Sequence, residues 1–195
     1  MEMKQILLLL LKGAELWEIA AFTDIFGWNQ ICGEKGWRLV TAGPDLEVRL
    51  SFGHRMKADL TWAQVDPTAF SALAIPGGFP RYGYFRACGE YPLQLIRCFH
   101  QAEKPIAAVC TGSLLLAKAG ILEGRQATTY SSPDTFFQKE LVRSGAVVKE
   151  NALLIEDGNL ITGDGPGAAG AVAFALLSRC TGIENSRRIK NLMHL

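Results

Sequence analysis

One stretch, residues 104–119, most constrains how this chain can fold, and it reads KPIAAVCTGSLLLAKA. Its first part, Pro105–Val109, is a short apolar run that begins at a proline, which is typical of a buried parallel strand. The residues after Gly112 predict an apolar helix. Between the two stands Cys110, with Ala108 and Gly112 on either side. The order small-x-Cys-x-small predicts a sharp strand-to-helix turn that holds the cysteine in a strained conformation, as in a nucleophile elbow.

Such an elbow would place the Cys110 thiol at the carboxyl end of a sheet, over the N-terminus of the following helix. Unpaired backbone N–H groups at that position favour a thiolate and any developing oxyanion. The alternative is a buried cysteine with a purely structural role. The small residues on both sides of Cys110 favour the nucleophile.

Composition limits the other possibilities. A length of 195 residues suits a single domain, residues 1–195, with a full hydrophobic core. The net charge of +1 predicts no strong attraction to nucleic acid or membranes, so we expect neither as a partner. The leucine run of residues 7–11 is too short to span a bilayer, and no signal cleavage site follows it, so we expect a cytoplasmic protein.

The cysteines give no sign of a disulfide framework or a zinc site. The chain has five, an odd number, and no two of them form a C-x-x-C pair. We therefore expect no metal and no cofactor. The three histidines, His54, His100 and His194, lie away from the elbow in the sequence, so a Cys–His pair is not predicted.

Short apolar runs alternate with helical patterns along the chain. The predicted strands are 5–11, 37–42, 72–75, 105–109, 126–130, 147–155 and 160–162, with 47–52 as a strand or hairpin and 54–67 unassigned. The predicted helices are 15–30, 91–102, 113–119, 133–144 and 165–177. This alternation favours an α/β fold with a parallel sheet covered by helices on both faces.

Residues suited to catalysis follow three of the predicted strands, where α/β proteins usually bind ligands. Glu15 and Glu18 follow the first strand. Ionised, Glu18 would raise the pKa of a nearby thiol; protonated, it could donate a hydrogen bond to sulfur or relay a proton. Glu15 lies nearer the start of the helix, which favours a capping role.

Two further groups follow neighbouring strands. The N–H groups of Gly77 and Gly78, together with that of Thr111, could hold an oxyanion. The glycine pair could equally be a simple turn. Tyr130 ends the strand after the elbow, where it would either point into the site or pack in the core.

Four segments in this order resemble the ThiJ/PfpI superfamily, which is related to class I glutamine amidotransferases and includes the parkinsonism-associated protein deglycase. They are residues 12–18, with Glu18 at the acidic position, and residues 75–78, 108–112 and 165–167. The resemblance implies a flavodoxin-like three-layer sandwich, usually a homodimer. It also implies a reactive, easily oxidised Cys110 that is hydrogen-bonded to a protonated Glu18.

The chain departs from this family at two positions. Protease-like members have a histidine directly after the cysteine, where this chain has Thr111, so peptidase activity is not expected. Glyoxalase and deglycase members have a histidine after a Thr-Thr pair, where this chain has Tyr130. The stretch 110–113, CTGS, also resembles isonitrile hydratases of the superfamily, which use an acidic residue without a Cys–His dyad.

Two functional hypotheses follow from the sequence. In the first, an enzyme acts on a small electrophilic substrate: Cys110 attacks, Glu18 transfers the proton, and backbone N–H groups hold the anion. A reactive carbonyl such as an α-oxoaldehyde is the first substrate expected, and an isonitrile is the second. The alternative is a non-catalytic oxidative-stress sensor or chaperone-like protein whose Cys110 is oxidised to a sulfinate.

Overall fold

The computed structural model describes residues 3–149 and 152–195. The strands are β1 (Lys4–Leu9), β2 (Trp37–Gly43), β3 (Glu47–Arg49), β4 (Arg55–Lys57), β5 (Leu60–Thr61), β6 (Phe70–Ile75), β7 (Ile106–Val109), β8 (Gln126–Ala127), β9 (Val147–Val148), β10 (Leu154–Asp157) and β11 (Leu160–Gly163). The helices are α1 (Leu16–Cys32), α2 (Tyr91–Gln101), α3 (Ser113–Lys118), α4 (Phe136–Arg143), α5 (Ala169–Thr181) and α6 (Ile183–Leu192).

Seven of these strands form the central sheet, in the order β10-β11-β7-β6-β1-β2-β5. All neighbouring pairs are parallel except β10 and β11, which form an antiparallel edge. The helices cover both faces of the sheet: α1, α5 and α6 pack together on one face, and α2, α3 and α4 on the other. The predicted three-layer α/β architecture is therefore confirmed.

The central strands are apolar throughout because helices cover them on both faces. In β1, Ile6 to Leu9 have no solvent exposure, and Leu73 and Ala74 of β6 are equally buried. Strand β7 is buried along its whole length. This explains why continuous apolar runs, rather than alternating ones, identified these strands in the sequence.

Several predicted elements were wrong in extent. The predicted strand 147–155 is two separate strands, because β9 pairs with β8 in a small sheet whereas β10 pairs with β11; residues 150 and 151 lie outside the described ranges. The predicted strand 126–130 extends over two residues only. Helix α6 was not predicted. Among the described residues, no helix is both long and apolar enough to cross a membrane.

The strand order brings the three predicted groups of site residues together. Strands β1, β6 and β7 are adjacent and parallel, so their carboxyl ends lie side by side at one edge of the sheet. The chain leaves β1 towards Glu18, leaves β6 towards Gly77, and leaves β7 directly into Cys110.

Candidate active site

Cys110 occupies a strained turn directly after β7. Its φ angle is +56°, in the left-handed region that residues with a side chain seldom adopt. A short 3₁₀ turn, Cys110–Gly112, then leads into α3. The cysteine is 6% exposed. This is the backbone geometry that the small-x-Cys-x-small pattern predicted.

Glycine is required two residues after Cys110 because the elbow passes close to the preceding loop. A Cβ atom at Gly112 would lie 2.7 Å from the carbonyl oxygen of Ile75 and 3.1 Å from that of Pro76. A Cβ at Gly77 would lie 2.9 Å from the Cβ of Cys110. The glycines therefore let the two loops make contact.

Glu18 is fully buried in the first turn of α1 and faces the thiol. Its Oε2 accepts a hydrogen bond of 2.5 Å from the N–H of Gly77. Its Oε1 forms no hydrogen bond in the described structure, and a carboxylate oxygen of Glu18 lies within 4.8 Å of the Cys110 sulfur. One side chain thus binds the β6 loop and lies beside the thiol.

Glu15 belongs to the same cluster, which corrects the capping role expected for it. It occupies the N-cap position of α1, but its side chain makes no capping hydrogen bond. Instead, the ligand atoms of Glu15, Glu18 and Cys110 all lie within 4.8 Å of one another. These three side chains are also the residues here that could hold a metal ion, since a thiolate and two carboxylates suit zinc.

Burial controls the protonation of this cluster. Desolvation, reinforced by the charge of Glu15, raises the pKa of Glu18 to about 8, although the Gly77 N–H partly opposes the shift. Desolvation also raises the pKa of Glu15. Because the two carboxyls lie close together, the ionised form of one disfavours ionisation of the other.

The thiol responds to the same environment. Burial, followed by the negative charge of Glu18, raises the pKa of Cys110 well above its ordinary value, and the backbone N–H of Thr111 only partly offsets this. At neutral pH the resting site therefore holds a thiol and a largely protonated carboxyl. Only the ionised fraction of Glu18 could accept the proton of this thiol.

The glycine N–H groups are engaged differently from the prediction. The Gly77 N–H binds Glu18, and the Gly78 N–H donates to the Thr111 hydroxyl at 2.9 Å. The same hydroxyl donates to the Gly78 carbonyl at 2.8 Å. Because both N–H groups are already bonded to side chains, they are not free to bind an oxyanion in this arrangement. The Thr111 N–H is the backbone donor next to the sulfur.

Tyr130 lies at the rim rather than in the core. It is 37% exposed and packs on Phe137, with 5.9 Å between the ring centroids. Its ring also lies against Gly165, where an added Cβ would come within 3.3 Å of it. The preceding residue, Thr129, makes the direct contact with the elbow by donating to the Cys110 carbonyl at 2.9 Å.

Sequence reasoning missed two residues of the site, Thr129 and Tyr84, and gave Glu15 a different role. Tyr84 is fully buried, and its hydroxyl donates to the Pro76 carbonyl at 2.5 Å, which supports the Gly77 loop from behind. Tyr84 lies in an irregular loop, where the sequence has no periodic pattern that would indicate a buried side chain. For Thr129, the Thr-Thr pair at a strand end was the available signal.

The raised pKa of Glu18 makes stability depend on pH. Between about pH 4.5 and about pH 8 the native protein retains a proton that the unfolded chain releases. The free energy of unfolding is therefore expected to fall as pH rises through this range. Glu18→Gln should make this fall shallower, as measured by urea unfolding across the range, whereas Glu123→Gln on an exposed loop should not. Equal slopes in wild type and Glu18→Gln would contradict the assignment.

Comparison with known proteins agrees with this geometry. The sequence pattern of the DJ-1/PfpI family matches residues 4–179. The chain belongs to the DJ-1/PfpI family. Drosophila melanogaster protein dj-1beta is 30% identical over 192 residues, which cover 95% of this chain and 94% of the fly protein. The crystal structure of Drosophila melanogaster DJ-1beta superposes with a TM-score of 0.86 at 27% identity, covering 99% of this chain and 98% of the fly chain.

A DJ-1/PfpI relative named a deglycase also matches. The deglycase PfpI of Pyrococcus furiosus is 30% identical over 115 residues, which cover 59% of this chain and 65% of the archaeal protein. Some curated relatives are longer than the match: this chain spans 54% of an uncharacterised Methanocaldococcus jannaschii protein and 36% of an Arabidopsis thaliana DJ-1 homologue. The family and the flavodoxin-like sandwich expected from the sequence are thus confirmed.

Proposed function

We propose that this protein is a cysteine-dependent enzyme that converts a small α-oxoaldehyde into the corresponding 2-hydroxy acid. One observation carries the proposal: a carboxylate oxygen of Glu18 lies within 4.8 Å of the Cys110 sulfur, and burial raises the pKa of this carboxyl to about 8. A general base is most effective when its pKa lies near the working pH, and this carboxyl meets that condition without a histidine.

The chemistry uses this pair alone. As the sulfur of Cys110 bonds to the aldehyde carbon, the thiol proton passes to the Glu18 carboxylate and the carbonyl electrons move to oxygen. Glu18 returns the proton to that oxygen, which gives a neutral hemithioacetal. Glu18 then moves a proton from the sulfur-bearing carbon to the neighbouring carbonyl carbon, while the hydroxyl proton passes to the neighbouring oxygen, which gives a 2-hydroxy thioester. Water hydrolyses the thioester to the hydroxy acid and the free thiol.

The comparisons support this choice of substrate class. The Pyrococcus furiosus relative is named a deglycase, and deglycation removes adducts that α-oxoaldehydes form. Cys110 is only 6% exposed, and this limited access suits a substrate of a few atoms. Thr111 in place of a histidine argues against peptidase chemistry.

The direct test is turnover of methylglyoxal by the purified wild-type protein, followed by NMR of the products. Formation of lactate in excess over enzyme supports the proposal. Turnover of an isonitrile but not of methylglyoxal would support the roles of Cys110 and Glu18 but contradict the proposed substrate. Oxidation of the Cys110 thiol to a sulfinate without turnover would favour the alternative function as an oxidative-stress sensor.

The pH dependence tests the role of Glu18 separately. The reaction needs the carboxylate, so the rate should rise with pH around an apparent pKa of about 8 that belongs to the coupled pair. Glu15→Gln removes a charge that raises the pKa of Glu18, and should therefore move this midpoint to lower pH. Glu123→Gln, on an exposed loop, is the matched control. A midpoint that stays in place in Glu15→Gln would contradict the coupling.

The proposal extends to assembly and location. An exposed stripe on α1, formed by Trp17, Trp28 and Ile31, repeats at helical spacing and supports the homodimer expected from the sequence. Sedimentation of the purified chain tests the proposed homodimer.

All five cysteines are free thiols, which supports a cytoplasmic, reducing environment.

A further inference from the structure

A basic pocket lies beside the candidate site, on the segment that joins β6 to α2. Its lining consists of Lys12, Arg81, Tyr82, Gly83, Arg86 and Ala87, and its volume is about 440 Å³. The two segments that form it are tied together by a hydrogen bond of 3.0 Å from the Phe79 N–H to the Gly13 carbonyl. Neither Cys110 nor Glu18 lines it, so it is separate from the cluster described above.

The three cations in this pocket are uncompensated. Arg97, Arg125 and Arg179 each form an ion pair with a carboxylate elsewhere in the structure. Within residues 3–149 and 152–195, in contrast, no carboxylate lies within 4.0 Å of the charged groups of Lys12, Arg81 or Arg86, and no acidic residue lines the pocket. Since the whole chain carries a net charge of only +1, this is a local concentration of positive charge.

Two of the three charged side chains, which are all exposed, also lie against neighbouring residues. The guanidinium of Arg81 lies over the ring of Tyr82, 5.1 Å from its centroid. The stem of Lys12 runs past Gly83, where an added Cβ would lie 3.6 Å from its Cε. Gly83 closes the turn with φ +93° and donates to the Pro80 carbonyl at 2.9 Å. These contacts favour particular positions of Arg81 and Lys12, which reduces the entropy that these two side chains lose on binding a ligand.

We propose that this pocket binds the phosphoryl group of a small phosphate monoester. A dianionic group with three terminal oxygens matches two guanidinium forks and one ammonium, and arginine binds such oxygens in a bidentate way. A concave site with one sign of charge concentrates its field on the ligand. The pocket is far larger than a water molecule, whose share of liquid volume is about 30 Å³, so it has room for the group esterified to the phosphate.

Calorimetric titration of the full-length protein with glycerol phosphate, inorganic phosphate and glycerol tests the proposal. These probes carry no electrophilic carbon, so the result does not depend on Cys110 chemistry. Glycerol phosphate should bind, inorganic phosphate should bind more weakly, and glycerol should not bind. Equal affinity for the two phosphates would overturn the assignment to a monoester, and absence of binding by either would overturn the site.

Charge-removing variants locate the binding. Each of Lys12→Gln, Arg81→Gln and Arg86→Gln should weaken glycerol phosphate binding by about tenfold or more, the effect of losing one charged hydrogen bond. Arg188→Gln on the exposed face of α6 removes the same charge elsewhere and should have no effect. Equal affinity in all four variants would refute the site.

A measurement on the wild type covers the case in which a variant fails to fold. In an amide NMR titration with glycerol phosphate, the backbone signals of Lys12, Tyr82, Gly83 and Ala87 should shift together and saturate. Shifts confined to other parts of the chain would overturn the proposal.

Discussion

Cys110→Ala is expected to reduce α-oxoaldehyde turnover by at least roughly a thousandfold, because the variant lacks the atom that bonds to the substrate. Its fold should be retained, since alanine fits a site that is already buried and apolar on one side. The measurement is the turnover rate of methylglyoxal for wild type and variant at the same pH, with thermal unfolding as a check on folding.

Cys98→Ala is the matched control for this experiment. Cys98 is also a free thiol, but it is exposed on α2 and lies outside the cluster. The control should keep wild-type turnover. If Cys110→Ala retained activity, or if both variants lost it equally, the thiol at the elbow would not be the nucleophile.

Gly112→Ala is expected to lower the free energy of unfolding by about 1–3 kcal/mol or more, the usual range for overpacking a close contact. The added methyl group would meet backbone carbonyl oxygens, at 2.7 Å for Ile75, rather than a flexible side chain. This close contact can be relieved only if the elbow moves away from the β6 loop, so turnover should fall as well. Urea unfolding and the turnover rate measure the two effects.

Gly170→Ala provides the contrast within the same chain. Gly170 lies in α5, and nothing is within 4 Å of an added Cβ. This substitution should raise stability by roughly 0.5–1 kcal/mol, since alanine is the better helix former. A Gly112→Ala protein as stable and active as Gly170→Ala would show that the elbow does not need the close approach.

The sequence predicted the site best where short-range backbone rules apply. The strand, the turn at Cys110 and the need for glycine at position 112 are local properties, and they appear in the structure. The position of Glu18 beside the thiol was expected from the resemblance and not from the helical periodicity. The family and the three-layer sandwich were expected from the order of the four motifs. This order can stay the same when residues elsewhere in the chain change.

The errors arose where long-range contacts decide the outcome. Glu15 was expected to cap the helix because of its position near the helix start. Its side chain makes no capping hydrogen bond and instead lies in the cluster with Glu18 and Cys110. Free N–H groups were expected at Gly78, but the Thr111 hydroxyl, 33 residues away, occupies that donor. The run 147–155 was predicted as one strand, although the strands at its two ends pair with different neighbours.

The arrangement of β1, β6 and β7 has a consequence for the newly made chain. Glu18 and Gly77 are separated by 59 residues of sequence, and their contact forms only when these strands have joined. Before that, the sulfur of Cys110 is an ordinary solvated thiol, no different from the other four. The environment that distinguishes the Cys110 thiol from the other four therefore forms only when the sheet is complete. It is lost when the central strands separate.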